Sequence, residues 1–257
     1  MKMKLVKILF PLFLGLAAAV TVLVLLRFGS TTEMFSGSSS GNRKSCSVSG
    51  ISDSSVMSAV DLGLSVKWAS CNLGASKPED YGDYYAWGET STKSYYAWST
   101  LKYCTDGFKG VARFSKYVPF DMSEFWSGSG NPDNKTVLDP CDDAAHVRLA
   151  AAWRMPTDVE CEDLWTKCTW KWIANYNGTG INGMLVIGTN GNSIFLPAAG
   201  RRIGTDLIDA GLIGCYWSSS LYTSYPSGAS AVYFDSDGVT MDYGYRNEGF
   251  SVRPVLN

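Results

Sequence analysis

The sequence predicts an α+β domain with two helices and short antiparallel sheets, preceded by an N-terminal membrane anchor and a linker. Three observations predict it. An uncharged run from Ile8 to Leu26 follows Lys2, Lys4 and Lys7. Two capped helical patterns lie between Asp142 and Cys168. Short strand-like runs separated by turn signals fill much of the remainder, above all from Gly214 to Val255. The 257 residues divide accordingly into an anchor at 1–28, a Ser/Gly-rich linker at 29–55 and a domain at 56–257.

At 1.5 Å per helical residue the run Ile8–Leu26 reaches about 28 Å, close to the hydrocarbon core of a bilayer. A secretory signal has a shorter apolar core, and cleavage after Ala17-Ala18-Ala19 leaves Val20–Leu26 as an apolar terminus. An uncleaved anchor is expected. Three lysines before the span against Arg27 after it place the N-terminus in the cytoplasm and the domain outside, as a single-pass protein of the cell envelope. Residues 29–55, poor in large apolar groups, read as a flexible tether. An apolar share of 46% and a charged share of 18% describe a globular chain. Its net charge of −2 offers no general attraction to nucleic acid, so nucleic acid is not expected as a partner and membrane contact is assigned to the N-terminal helix.

Within the domain, Val60, Leu62, Leu64, Val66 and Trp68 alternate with polar neighbours and read as a strand that Gly63 can bend. Asp83–Glu89 is a second strand candidate. Asp142 or Asp143 caps a helix over Ala144–Ala152, and Thr157 with Glu160 forms a capping box for a helix from Asp158 to about Cys168. Cys161, Leu164, Trp165 and Cys168 form one buried face of that second helix. Strands are expected at Thr169–Ala174, Met184–Gly188 and Ser193–Ala198, the last two joined through Asn190-Gly191. Near the C-terminus, Ala229–Phe234 reads as a strand turning at Asp235–Gly238 into Val239–Asn247.

Chemical motifs are sparse. Gly178–Gly183 matches a dinucleotide fingerprint by letters, but the following Met184–Ile187 is a strand where that motif needs a helix, so the stretch reads as a turn. His146 is the single histidine; with Asp142 it makes half a metal site at most, and a structural histidine explains it more simply. Asp133, Asp139, Asp142 and Asp143 have the oxygen chemistry of a calcium site, although solvated loop charges and a helix cap account for them more simply. No cofactor or metal is expected. Seven cysteines outside the cytoplasm suggest disulfides, with at least one thiol left over. Cys161 and Cys168 are about 10 Å apart along the helix, too far to pair. Cys71 with Cys168 is the favoured pairing, and reduced buried thiols are the alternative.

Tyr222, Tyr225, Tyr243 and Tyr245 fall in or beside the connecting segments of the last stretch, among Ser, Asp and Asn. Tyrosine supplies rigid contact area with few rotors, and the small polar residues adapt around it, which is the composition of a binding surface. Edge residues of a sandwich or barrel have the same composition, so both readings stand at this point.

The ordered series Val60–Gly74, Tyr81–Glu89, Asp142–His146, Trp153–Thr157, Cys168–Trp172, Asn190–Gly200, Tyr216–Ser220 and Gly249–Val255 closely resembles the Fibrobacter major paralogous domain of bacterial surface proteins. That resemblance implies a C-type-lectin-like fold, similar to the variable proteins of diversity-generating retroelements. It further implies a ligand-binding face over Tyr216–Arg253 that engages an extracellular protein or glycan. Leu221, Tyr222, Ser224, Tyr225, Asp237, Asp242, Tyr243, Tyr245 and Asn247 would then be the ligand-facing and variable positions, with Trp217, Phe234, Gly249, Val252 and Arg253 as framework. The Glu-Pro-Asn or Gln-Pro-Asp motif of calcium-dependent lectins is missing, and Asn131-Pro-Asp133 matches it only in part. Formylglycine-generating enzymes, also similar, need neighbouring reactive cysteines near the C-terminal end, where this chain has Cys215 alone. The expectation is therefore a binding protein and not an enzyme; the alternatives are a formylglycine-generating-like oxidoreductase and a structural envelope domain.

Overall fold

A computed structural model describes residues 57–105, 112–149 and 152–257. The expected anchor at 1–28 and linker at 29–55 lie outside the described residues. Among the described residues, no helix is long and apolar enough to cross a membrane.

The expectation of an α+β, C-type-lectin-like fold is overturned: the described residues are mostly β, with twelve strands and only two short α-helices. The helices are α1, Ala144–Leu149, and α2, Asp158–Lys167. Their start signals are local. Asp143 Oδ1 accepts the His146 N–H at 3.0 Å, which makes Asp143 the cap of α1, and the Thr157–Glu160 capping box starts α2. Helix nevertheless fills little of the described residues, because 3₁₀ turns and loops occupy most of those described between Asn72 and Asp142.

The alternation at Val60–Trp68 is a hairpin, not one strand. β1, Ala59–Asp61, pairs antiparallel with β2, Lys67–Ala69, and Gly63 adopts φ 73° with its N–H bonded to Asp61 Oδ1 at 2.7 Å. β12, Val255–Leu256, inserts between β2 and β3, Trp153–Arg154, so the two ends of the domain close one sheet. Asp83–Glu89 is not a strand: it contributes a single bridge, Tyr85 to Phe250, and is held by burial of Tyr84, Tyr85, Ala86 and Trp87.

A second sheet joins β4, Thr169–Ile173, β5, Gly183–Ile187, and β6, Ser193–Pro197, close to the predicted ranges. The glycine-rich stretch before β5 is a turn leading into that strand, as its sequence implies. β7, Arg201–Ile203, and β8, Asp206–Ile208, form a small hairpin. The third sheet is central and has the order β11-β10-β9, built from β9, Gly214–Leu221, β10, Gly228–Phe234, and β11, Val239–Tyr245.

Two apolar clusters pack against opposite faces of this sheet. Val232 and Phe234 of β10, with Tyr216 of β9, join Leu62, Trp68, Cys161, Leu164 and Val186. Ala229 and Ala231, with Trp217 and Leu221, join Tyr85, Trp87, Tyr117 and Phe250. Period-two alternation therefore serves two cores, which is why every residue of β9 is buried. Trp217 stacks on Phe250 with ring centroids 4.0 Å apart and donates Nε1–H to the Tyr85 carbonyl at 2.7 Å. Arg253, fully buried, donates to Asn72 Oδ1, Ala69 O and Phe195 O at 2.8–3.0 Å.

The expected Cys71–Cys168 disulfide does not form. Cys168 caps the end of α2 with a free thiol against the second sheet's side of the core, while the Cys71 thiol approaches the Ala75 carbonyl at 3.4 Å. Cys141 is disulfide-bonded.

Candidate ligand-binding face

The antiparallel register sets the site. Gly228 pairs with Tyr245 at one end of the β10–β11 ladder, and Phe234 pairs with Val239 at the other. Tyr243 and Tyr245, two residues apart, share a face of β11 at the first end. There the loop 222–227 folds back through three backbone bonds, Tyr222 N–H to Gly228 O, Tyr225 N–H to Tyr222 O and Gly228 N–H to Tyr225 O. The result is a ring cluster: Tyr222 stacks on Tyr243 at 4.8 Å, and Tyr225 meets Tyr243 at 5.8 Å and Tyr245 at 6.4 Å.

Gly228 is required by this packing. A Cβ there would lie 2.6 Å from the Tyr243 ring, so the ring occupies the space that a side chain would fill. Tyr225 and Tyr245 remain 38% and 41% exposed, far above the level of a core aromatic. None of the hydroxyls of Tyr222, Tyr225, Tyr243 and Tyr245 has a hydrogen-bond partner among the described residues.

Two further segments extend the cluster. Phe125, in the 3₁₀ segment Phe120–Phe125, meets Tyr225 edge-on at 6.0 Å, and Trp98 meets Tyr245 at 5.9 Å. Phe120 of the same segment is 60% exposed. Sequence reasoning missed these contributors because nothing in the irregular stretch from Asn72 to Asp139 reports its proximity to the C-terminal strands.

The other nominated positions separate by environment. Ser224 is exposed in the loop that carries Tyr222 and Tyr225; Asp242 is exposed on β11 but alternates onto the face opposite Tyr243 and Tyr245; Asp237 is exposed at the β10–β11 turn, at the opposite end of the ladder. Leu221 is buried in the core cluster around Trp217, and Asn247 is buried after β11.

Arg246, also absent from the sequence reading, fixes the end of β11. It is fully buried, with its guanidinium 4.1 Å from the Phe114 ring centroid and 4.9 Å from that of Trp87. It donates to the carbonyls of Pro226, Tyr117 and Lys116 at 3.3–3.4 Å. Burial pulls its pKa down to about 9. The Pro226 contact ties the tyrosine loop to the strand end that carries Tyr245.

Behind Arg246 lies a carboxylate hub. Asp142 accepts hydrogen bonds from Lys102, Lys116, Tyr103 and Tyr117. Burial opposes its charge, but those donors outweigh burial and lower its pKa to about 2. Asp139 pairs with Lys116 and Lys135, Asp133 accepts the Tyr117 and Val118 N–H groups, and Asp143 accepts those of His146 and Met155. The four carboxylates thus serve protein donors, and no group of three or more potential metal ligands occurs among the described residues. Asp142 and His146 are not brought together as a pair: His146 instead lines a cleft of about 170 Å³ with Asp143, Arg154, Thr157 and Ser219. Cys215 is buried, and burial pushes its thiol up to about 12, which keeps it protonated at neutral pH.

No protein-family model matches the chain, and no curated protein or solved structure matches it.

Proposed function

We propose that this is a membrane-tethered protein of the bacterial cell surface whose C-terminal aromatic face binds an extracellular partner. The observation that carries the reading is the ring cluster with Tyr225 and Tyr245 exposed, its hydroxyls without a partner among the described residues, mounted on a sheet whose opposite faces are both packed. Rigid rings on a rigid support keep the entropy lost on binding small, and aromatic anchors of this kind dominate interface energetics. The buried, protonated thiol of Cys215 favours binding over the oxidoreductase alternative.

The test probes an array of extracellular proteins and glycans with the full chain and with Tyr225→Ala/Tyr245→Ala. Binding by the parent, weakened by about 2 kcal/mol or more in the double variant at unchanged melting temperature, supports the reading. A bound ligand indifferent to the substitution counts against it. The further proposal that the face is diversified is tested at the locus. A nearby reverse transcriptase and a near-copy of the codons for Tyr216–Arg253, differing mainly at adenines, would support it; a locus with neither would leave a binding protein of fixed sequence.

A further inference from the structure

The cleft of about 170 Å³ beside α1 shares no residue with the tyrosine face. Val137, Leu138 and Pro140, the start of α1, the connection from β3 to α2, and Ser219 of β9 wall it. The charges in its lining are spent within the protein. Arg154 donates from Nη1 and Nη2 to the two Glu160 carboxylate oxygens at 2.7 and 2.6 Å, and Nη2 also donates to Asn257 Oδ1 at 2.7 Å. Asp143 Oδ1 accepts the His146 N–H at 3.0 Å and its Oδ2 accepts the Met155 N–H at 2.8 Å. Thr157 is engaged in the capping box of α2.

Two neutral groups remain open. Ser219 is 4% exposed; its N–H donates to the Pro156 carbonyl at 2.7 Å and its carbonyl accepts the Leu138 N–H at 2.9 Å. Its hydroxyl has no hydrogen-bond partner among the described residues, and the His146 imidazole makes no hydrogen bond or ion pair among them. Each of these groups both donates and accepts, and a hydroxyl so nearly buried is costly to leave unpaired. Asp143 spends its oxygens on backbone N–H groups instead of the imidazole, so Ser219 and His146 form a recognition pair and not a nucleophile with an oriented base.

The rest of the wall is apolar, from Val137, Leu138, Pro140 and Met155. A cavity of about 150 Å³ accommodates a benzene ring, so a single six-membered ring fits here. A pyranose would set most of its hydroxyls against apolar side chains, at a cost for each one left unpaired. An aromatic ring gains from the same walls, including the Met155 sulfur, and one hydroxyl serves both open groups. We infer that this cleft binds a neutral phenolic ring, packed against Leu138, Pro140 and Met155, its hydroxyl donating to one of Ser219 and His146 and accepting from the other. The site is independent of the tyrosine face.

Saturation-transfer NMR titrations of the full chain with phenol, toluene and benzoate test the inference. Phenol is expected to bind at least about fivefold more tightly than toluene, which lacks the hydroxyl, and than benzoate, whose charge meets no open cation. Ser219→Ala/His146→Ala should bring phenol down to the level of toluene while toluene binding persists, which shows the cleft still folded. Tyr225→Ala/Tyr245→Ala should leave phenol binding unchanged. With phenol bound, tighter binding of N-acetyltyrosinamide makes the occupant a tyrosine side chain of a peptide and weaker binding makes it a free phenol; both support the cleft. Equal binding of phenol and toluene, tighter binding of benzoate, no phenol binding up to about 20 mM, or an advantage that survives the double variant would overturn the inference. Phenol binding lost in the tyrosine variant would place the ligand on the other face and overturn it equally.

Discussion

Asp142 shows how one side chain sets the ground beneath the site. Its carboxylate gathers Lys102, Lys116, Tyr103 and Tyr117, and Tyr117 in turn faces the Arg246 guanidinium. Replacing it by Asn leaves Lys116 without its buried partner, and Asp142→Asn should lower stability by about 3 kcal/mol in urea denaturation. The pH dependence has a definite sign. A carboxyl held at about 2, below its ordinary 3.8, contributes stability that is fully present above pH 4 and lost as pH falls through about 2. The difference in stability between the parent and Asp142→Asn should therefore shrink on acidification from pH 5 to pH 2; a constant difference would contradict the assignment. Arg246 meets ring faces and carbonyl oxygens in place of a carboxylate, an arrangement that suits a planar guanidinium and not a compact ammonium. Arg246→Lys should cost about 2 kcal/mol in the same assay.

At the scale of elements, β11 is the edge of the central sheet and would be open to pairing with another chain. Side chains of β11 itself and of the neighbouring β10 oppose that. Asp242 Oδ1 takes the Tyr243 N–H at 2.8 Å, Thr240 Oγ1 donates to the Met241 carbonyl at 3.3 Å, and the Tyr233 hydroxyl donates to the Tyr243 carbonyl at 3.1 Å. Thr240→Val/Asp242→Val should release the edge and produce self-association, visible by sedimentation velocity, whereas a monomeric variant would show that these contacts do not guard it. The elements also show where sequence reasoning succeeds. Cap residues act within four positions, so Thr157–Glu160 and the start of α2 were legible. The Asn190-Gly191 hairpin was legible for the same reason. Alternation from Val60 to Trp68 was ambiguous, because a hairpin with its turn near Gly63 preserves the same apolar period on both arms. Asp83–Glu89 carried a strand-like pattern because it is buried, not because it pairs.

For the whole molecule, the division of labour lies between a doubly packed sheet and the rings at one of its ends. The tyrosines of the face were legible from their setting among Ser, Asp and Asn, but their neighbours Trp98 and Phe125 were not, since more than a hundred residues separate Trp98 from Tyr245. The mostly β architecture was hidden for a related reason: several of its strands are only two or three residues long and exist through distant pairing, as β12 does between β2 and β3. Substitutions should reflect the division. Trp217→Ala, in the core, should cost about 3–5 kcal/mol of stability, whereas Tyr225→Ala/Tyr245→Ala should leave the melting temperature within about 2 °C of the parent. The most direct measurement sets ligand binding of the parent and of Tyr225→Ala/Tyr245→Ala beside their thermal unfolding. Binding lost while unfolding is unchanged is the expected result; binding kept, or binding and stability falling together, would contradict a dedicated ligand face.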